Sequence, residues 1–273
     1  MSRLSRSTSW PPSGGPSYSP DNLPVYRGGS SGANVAPFDP NTLFAASDYG
    51  DFMRVSDSAV QSSGGLLTRW PGLRSAGSTG ARFDVMPYSS APSVGAYGPN
   101  GEQAIRMAVG GYTSGSNDRG GSGSLEIPTP YKTETSRGTG FIVAVRAKFT
   151  GTVTTFWPHI IDFNTAEFNA NNSTIEFHEN SVTPVINTAN TATVTNWNTY
   201  AIRVKKDGTV SLYINSGSTP VSTVSSPDAA VTLFRWNFYL YQGTGSADIS
   251  AYVQGHIEPS DADFASLMTW MEG

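Results

Sequence analysis

The sequence predicts an all-β fold: an antiparallel β-sandwich of jelly-roll type, with a short C-terminal helix and an extended N-terminal arm. Three observations predict it. Between Asn196 and Asn215, Tyr200, Ile202 and Val204 alternate with polar residues, Asp207-Gly208 supplies a turn, and Val210, Leu212 and Ile214 resume the alternation. That is the pattern of an antiparallel hairpin with one buried face. From about Pro87 onward such runs follow one another, separated by turn clusters and not by helices. Charged residues are only 14% of the chain, against about 25% in an average soluble protein. Gly, Ser, Thr and Asn abound instead, a balance that suits a strand-rich shell with uncharged turns.

Residues 1–38 are rich in Pro, Gly and Ser, as in Trp10-Pro11-Pro12-Ser13-Gly14-Gly15-Pro16, and follow neither the helical nor the strand period. Alone, this arm is expected to be an extended tail or linker, or a docking arm ordered by a partner subunit. Residues 39–86 read as an anchoring lead-in. Leu43, Phe44, Tyr49, Phe52, Met53, Leu66, Leu67 and Trp70 are spaced among turn residues there, and runs as brief as 42–46 or 51–60 fit a short helix or a strand equally.

Residues 87–273 form the predicted sandwich. Ile105, Met107 and Val109 alternate, and Leu125 and Ile127 start another strand. In Phe141–Phe149, the residues Phe141, Val143, Val145, Ala147 and Phe149 share one face, with Arg146 and Lys148 on the other. Trp157–Phe163, Thr174–His178, Val182–Ile186, the hairpin, Trp236–Tyr241 and Asp248–Gly255 continue the series. A helix closes the chain. Pro259 stops the preceding strand, Ser260 caps the free amides, Asp261 and Asp263 favour the positive end, and Phe264, Leu267, Met268 and Met271 form a stripe that docks on the sandwich.

These residues carry a resemblance. The hairpin, with Trp197-Asn198-Thr199-Tyr200 at its start, Arg203 in its first strand and Asp207-Gly208 leading into Leu212-Tyr213-Ile214-Asn215, resembles the matching segment of concanavalin A-like lectin/glucanase domains, the laminin-G-like jelly rolls. The tail from Ala251-Tyr252-Val253 through Pro259-Ser260-Asp261-Ala262-Asp263-Phe264 is similar to their strand-then-helix ending, although the usual glycine after the hairpin strand is displaced to Gly217. Leu43-Phe44-Ala45-Ala46, Gly50-Asp51-Phe52, Ala91-Pro92-Ser93 and Gly101–Met107 are similar to the lead-in of such domains in tailed-bacteriophage virion proteins. The resemblance implies a capsid decoration, head-fibre or tail-fibre component, made in the host cytoplasm and assembled into the virion with other virion proteins and further copies of itself.

The chemistry is sparse. The absence of Cys excludes disulfides, thiolate metal sites and cysteine nucleophiles. Net charge of −4 gives no footprint for direct nucleic-acid binding. The first ten residues lack a secretory apolar run and no segment reaches the roughly 20 apolar residues that span a bilayer, so a soluble protein without a membrane partner is expected. The glucanases of the resembled family carry paired glutamates on one strand face, and retaining hydrolysis needs such carboxylates about 5–5.5 Å apart. Here Glu176 and Glu179 fall on opposite faces of Ile175-Glu176-Phe177-His178-Glu179, so no pair forms within that strand and no catalytic residue is assigned.

Gly28-Gly29-Ser30-Ser31-Gly32 matches a nucleophile elbow but lies in the arm, without the required strand and helix. His159, His178 and His256 lack metal-ligand spacing, so no metal and no cofactor is expected; Asn117-Asp118 and Asp162 with Asn164 remain loop donors that calcium would suit. Candidate carbohydrate contacts are Trp157, His159, Tyr239 and Tyr241, where aromatic faces stand beside polar groups, although core packing accounts for such rings equally well. Candidate partner contacts in the arm are Arg3, Arg6, Trp10, Tyr18, Tyr26 and Arg27, the arginines giving a small positive bias toward an acidic capsid surface. The leading expectation is a non-enzymatic virion structural protein. The alternatives are a module adhering to host-surface glycans and a polysaccharide hydrolase.

Overall fold

Alternating apolar residues make strands of most of the residues described by the computed structural model, which are 38–45, 50–57, 59–73, 82–85, 92–108, 125–126, 140–157, 159–161, 166–179, 184–225 and 237–273. Helix α1 (Pro40–Phe44) is followed by β1 (Gly50–Arg54), β2 (Gln61–Ser63), β3 (Leu66–Pro71), β4 (Arg82–Val85) and β5 (Ser93–Gly95). After a single 3-10 turn (Pro99–Gly101) come β6 (Ala104–Ala108), β7 (Leu125–Glu126), β8 (Phe141–Thr150) and β9 (Val153–Trp157). The chain continues through β10 (His159–Ile161), β11 (Ala166–Ala170), β12 (Thr174–Glu179), β13 (Pro184–Ala189), β14 (Asn198–Val204), β15 (Thr209–Ile214) and β16 (Ser222–Ser225). Strands β17 (Asn237–Gly243) and β18 (Ser246–Gly255) precede helix α2 (Asp261–Glu272).

All strand pairs among the described residues are antiparallel. A 14-stranded sheet runs β16-β15-β14-β8-β18-β6-β5-β3-β4-β7-β17-β9, with β1 paired to β18 and β2 to β3; the other sheet is β10-β11-β12-β13. One apolar core joins Val143, Val145, Tyr200, Ile202 and Tyr252 of the large sheet with Phe168, Ile175, Phe177 and Ile186 of the four-stranded one, as a sandwich requires. The predicted all-β sandwich with a C-terminal helix is the observed fold. The lead-in segment is part of it: β1 pairs residue for residue with β18, and Met53, Val55, Leu67 and Trp70 sit in the shared core.

The hairpin forms as expected, with Tyr200 opposite Ile214 and Val204 opposite Val210. Its loop turns at Gly208 (φ 83°), and the Asp207 side chain accepts from the Thr209 amide at 2.9 Å. The expectation of one buried face needs correction. Every residue of β14 is buried, because α2 covers the face that would otherwise meet water. Small residues permit this: Ala144, Ala201 and Ala251 form a floor on which Phe264, Leu267, Met268 and Met271 pack. Burial of each of those four side chains contributes about 1.5–3 kcal/mol. Ser260 caps α2 by accepting from the Asp263 amide at 3.1 Å.

Candidate functional site

Strand alternation builds the candidate site on the four-stranded sheet. Phe168, Ala170, Ile175 and Phe177 are fully buried on its core face. Register pairs Asn169 with Glu176 and Glu167 with His178, which sets these four positions on the opposite, outer face. Asn169 donates through Nδ2 to Glu176 Oε2 at 3.4 Å, and His178 Nε2 lies 3.4 Å from the same oxygen. Asn169 is only 8% exposed, yet its Oδ1 is buried without a hydrogen-bond partner among the described residues. The group thus offers a spare amide acceptor, a half-buried carboxylate and an imidazole that donates or accepts according to its tautomer. Such a set matches adjacent hydroxyls of a polyol.

The carboxylates deserve separate placement. Glu176 and Glu179 pair with Asn169 and Ala166 respectively, so β12 sets them on different faces as expected. Register also puts Glu167 diagonal to Glu176 on one face of adjacent strands. Sequence reasoning missed Glu167 and Asn169, because the signal that finds them is the pairing of β11 with β12, which no motif encodes.

Of the expected carbohydrate contacts, Trp157 is directly paired with Tyr239 across β9 and β17, Tyr241 falls in the bulge between Leu240 and Gln242, and His159 pairs with Phe168. The backbone therefore brings Trp157 and Tyr239 together and leaves His159 on the neighbouring strand pair; their side chains lie outside the described residues. Also outside are Arg3, Arg6, Trp10, Tyr18, Tyr26 and Arg27, the Gly28–Gly32 match, and the loop donors Asn117, Asp118, Asp162 and Asn164. His178 belongs to the site above, whereas His256 is buried with its ring 5.7 Å from Phe141. Among the described residues no three His, Asp or Glu side chains are grouped to hold a metal ion. No helix among them is long and apolar enough to cross a membrane.

Two charged networks on the other layer serve the scaffold. Arg203, 3% exposed, donates to Asp261 Oδ1 at 2.6 Å and to the Pro259 carbonyl, and lies 5.1 Å from the Phe264 ring centre, which ties the start of α2 to β14. The Arg203 hydrogen bond holds the Asp261 carboxyl below its ordinary range. Asp248, fully buried, accepts two hydrogen bonds from Arg106 at 2.6 and 2.9 Å and has Lys148 at 3.3 Å.

No protein-family model and no curated protein matches the sequence. Solved structures do match in fold. The binding domain of botulinum neurotoxin DC in complex with SialylT is 12% identical with a TM-score of 0.55, over 79% of this chain and 51% of that one. The binding domain of Paraclostridial Mosquitocidal Protein 1 is 8% identical with a TM-score of 0.54, over 80% and 52%. A structure of botulinum neurotoxin type C, whose cell entry depends on interaction with two ganglioside molecules, is 10% identical with a TM-score of 0.54, over 78% and 51%. This chain spans about half the length of each of these proteins. The likeness shows a shared β-sandwich fold.

Proposed function

We propose that the protein is a binding module that adheres to glycans through the outer face of its four-stranded sheet. The carrying observation is the buried, unpartnered Asn169 Oδ1 beside Glu176 and His178. A buried acceptor left unpaired costs about 1–3 kcal/mol, and a ligand hydroxyl recovers that cost. Support also comes from the fold neighbours, among them a receptor binding domain and a botulinum neurotoxin whose cell entry depends on gangliosides. Trp157 and Tyr239, paired in register at one end of β9, would supply the stacking faces. Glycan-array binding by the full chain tests the proposal: Asn169→Ala and Trp157→Ala should each lower affinity about tenfold, one hydrogen bond or one stacked ring being worth about 1.4 kcal/mol. An array without signal would reject it.

A second reading is polysaccharide hydrolysis by the Glu167 and Glu176 pair, supported by their shared face on adjacent strands. Release of reducing sugar that disappears in both Glu167→Gln and Glu176→Gln would establish it. Bound glycan recovered intact favours adhesion. The virion setting rests on the arm composition and on the lead-in resemblance, with Arg3, Arg6, Trp10, Tyr18, Tyr26 and Arg27 as proposed contacts to capsid or tail subunits or to sister copies. Removal of residues 1–38 should then abolish incorporation into particles while glycan binding persists.

A further inference from the structure

The formal charge of the molecule is unevenly placed. Between Lys148 and Arg203 the chain contains no Lys or Arg, yet it carries Asp162, Glu167, Glu176 and Glu179. Those four belong to a total of 21 acidic residues, which leaves 17 elsewhere to balance the 17 Lys and Arg. The net charge of −4 is therefore the charge of this one stretch, and the stretch includes all four strands of the β10-β11-β12-β13 sheet.

The cations nearest in sequence do not compensate it. Lys148 lies in β8 and Arg203 in β14, both strands of the large sheet, where Asp248 and Asp261 already pair with them at 3.3 and 2.6 Å. Packed sheets stand about 10 Å apart, beyond the roughly 8 Å over which charges act at physiological salt.

On the outer face this excess coincides with the proposed glycan site. Register sets Glu167 diagonal to Glu176 on adjacent strands, a spacing of about 7–8 Å between positions, where two carboxylates repel. The Glu176 side chain is 23% exposed, and its neighbours at 3.4 Å are an amide and an imidazole, not Lys or Arg. A second feature is independent of charge. Asn169 is 8% exposed and spends its Nδ2 on Glu176, which leaves Oδ1 buried and without a partner among the described residues.

Acceptors select donors. A sialylated or sulfated glycan would bring a further anion to this face. A neutral sugar would satisfy Asn169 Oδ1 and leave the carboxylates uncompensated. An ammonium group brings three donors and a positive charge, and its hydrogen bond to a carboxylate is roughly twice as strong as a neutral one. A calcium ion would need about six or more oxygen ligands, and among the described residues no three His, Asp or Glu side chains are grouped to hold a metal.

We infer that the outer face of the four-stranded sheet selects amine-bearing glycans, an amino sugar setting its ammonium at Glu176 and Glu167 and a neighbouring hydroxyl at Asn169 Oδ1. The inference rests on the glycan-binding reading and names the ligand class of that same site. The experiment is calorimetric titration of the full chain with a glucosamine tetramer, its amines protonated, against the N-acetylglucosamine tetramer and sialyllactose, beside the glycan array. The glucosamine tetramer should bind about tenfold tighter than its acetylated counterpart, the gain of one charge-assisted hydrogen bond. That preference should shrink as salt rises from about 50 to about 500 mM, persist in EDTA, and vanish in Glu176→Gln and weaken in Glu167→Gln at unchanged melting temperature. Equal affinity for the two tetramers, a preference that survives both glutamine variants, or sialyllactose binding that Asn169→Ala abolishes overturns the inference. If neutral array glycans then bind and Asn169→Ala weakens them, the adhesion reading stands without the amine preference. If no glycan of any charge binds the wild type, both fall.

Discussion

Two charged side chains test how this molecule tolerates buried ions. Asp248 is fully enclosed, while its partners Arg106 and Lys148 keep part of their side chains in water, 36% and 24% exposed. Removing the carboxylate therefore strands two cations that water can still reach. Removing both cations strands a buried anion, for which the cost is about 3–5 kcal/mol. Denaturant melts should show Arg106→Ala with Lys148→Ala losing about that much, and Asp248→Asn losing less; the reverse order would refute the burial argument. Asp261 presents the complementary case. It is exposed, and its folded pKa lies below the ordinary 3.8 because Arg203 hydrogen-bonds it. A lowered folded pKa stabilises the fold fully above the unfolded value, and the contribution is lost as pH falls through the folded one. The stability gap between wild type and Asp261→Asn should thus be constant from pH 7 to 5 and close below about pH 3.8.

The decisive element is α2. Its apolar stripe converts the hairpin and the neighbouring strands from half-exposed to doubly covered, and Tyr213 packs against Phe264 with ring centres 4.8 Å apart. Leu267→Ala should cost about 2–5 kcal/mol as a buried truncation. The displaced glycine after β15 has its reason here as well. A Cβ on Gly217 would stand 2.3 Å from the Ala265 Cα, so the loop can lie against the helix only without a side chain. Gly217→Ala should force α2 away from the sheet, lowering the melting temperature and quickening amide exchange in β14; an unchanged exchange pattern would show that the loop yields instead.

Across the whole molecule, Phe38–Gly273 forms one unit. A fragment of residues 38–273 should melt cooperatively at the temperature of the full chain. A fragment of 87–273 should not, since it loses the strand beside β18 and exposes the core that Met53, Leu67 and Trp70 complete. Ile202→Asp, which places an unpaired charge in that core, should prevent folding altogether; a soluble, cooperatively melting variant would show that residue facing outward.

Local pattern was enough for β8, β12, β18 and the two strands of the hairpin, the Asp207-Gly208 turn, the cap at Ser260 and the buried stripe of α2, because each depends on residues a few positions apart whose spacing matches the strand or helix period. It was also enough to separate Glu176 from Glu179. Alternation could not reveal that Ala201 and Arg203 are as buried as Ile202, since nothing in the hairpin states that a helix some 60 residues later will cover it. Nor could it bring Asn169 beside Glu176. That meeting arises from the register between strands, a quantity fixed by how sheets and helix pack together, where a shift of a single residue would turn each of these side chains to the other face.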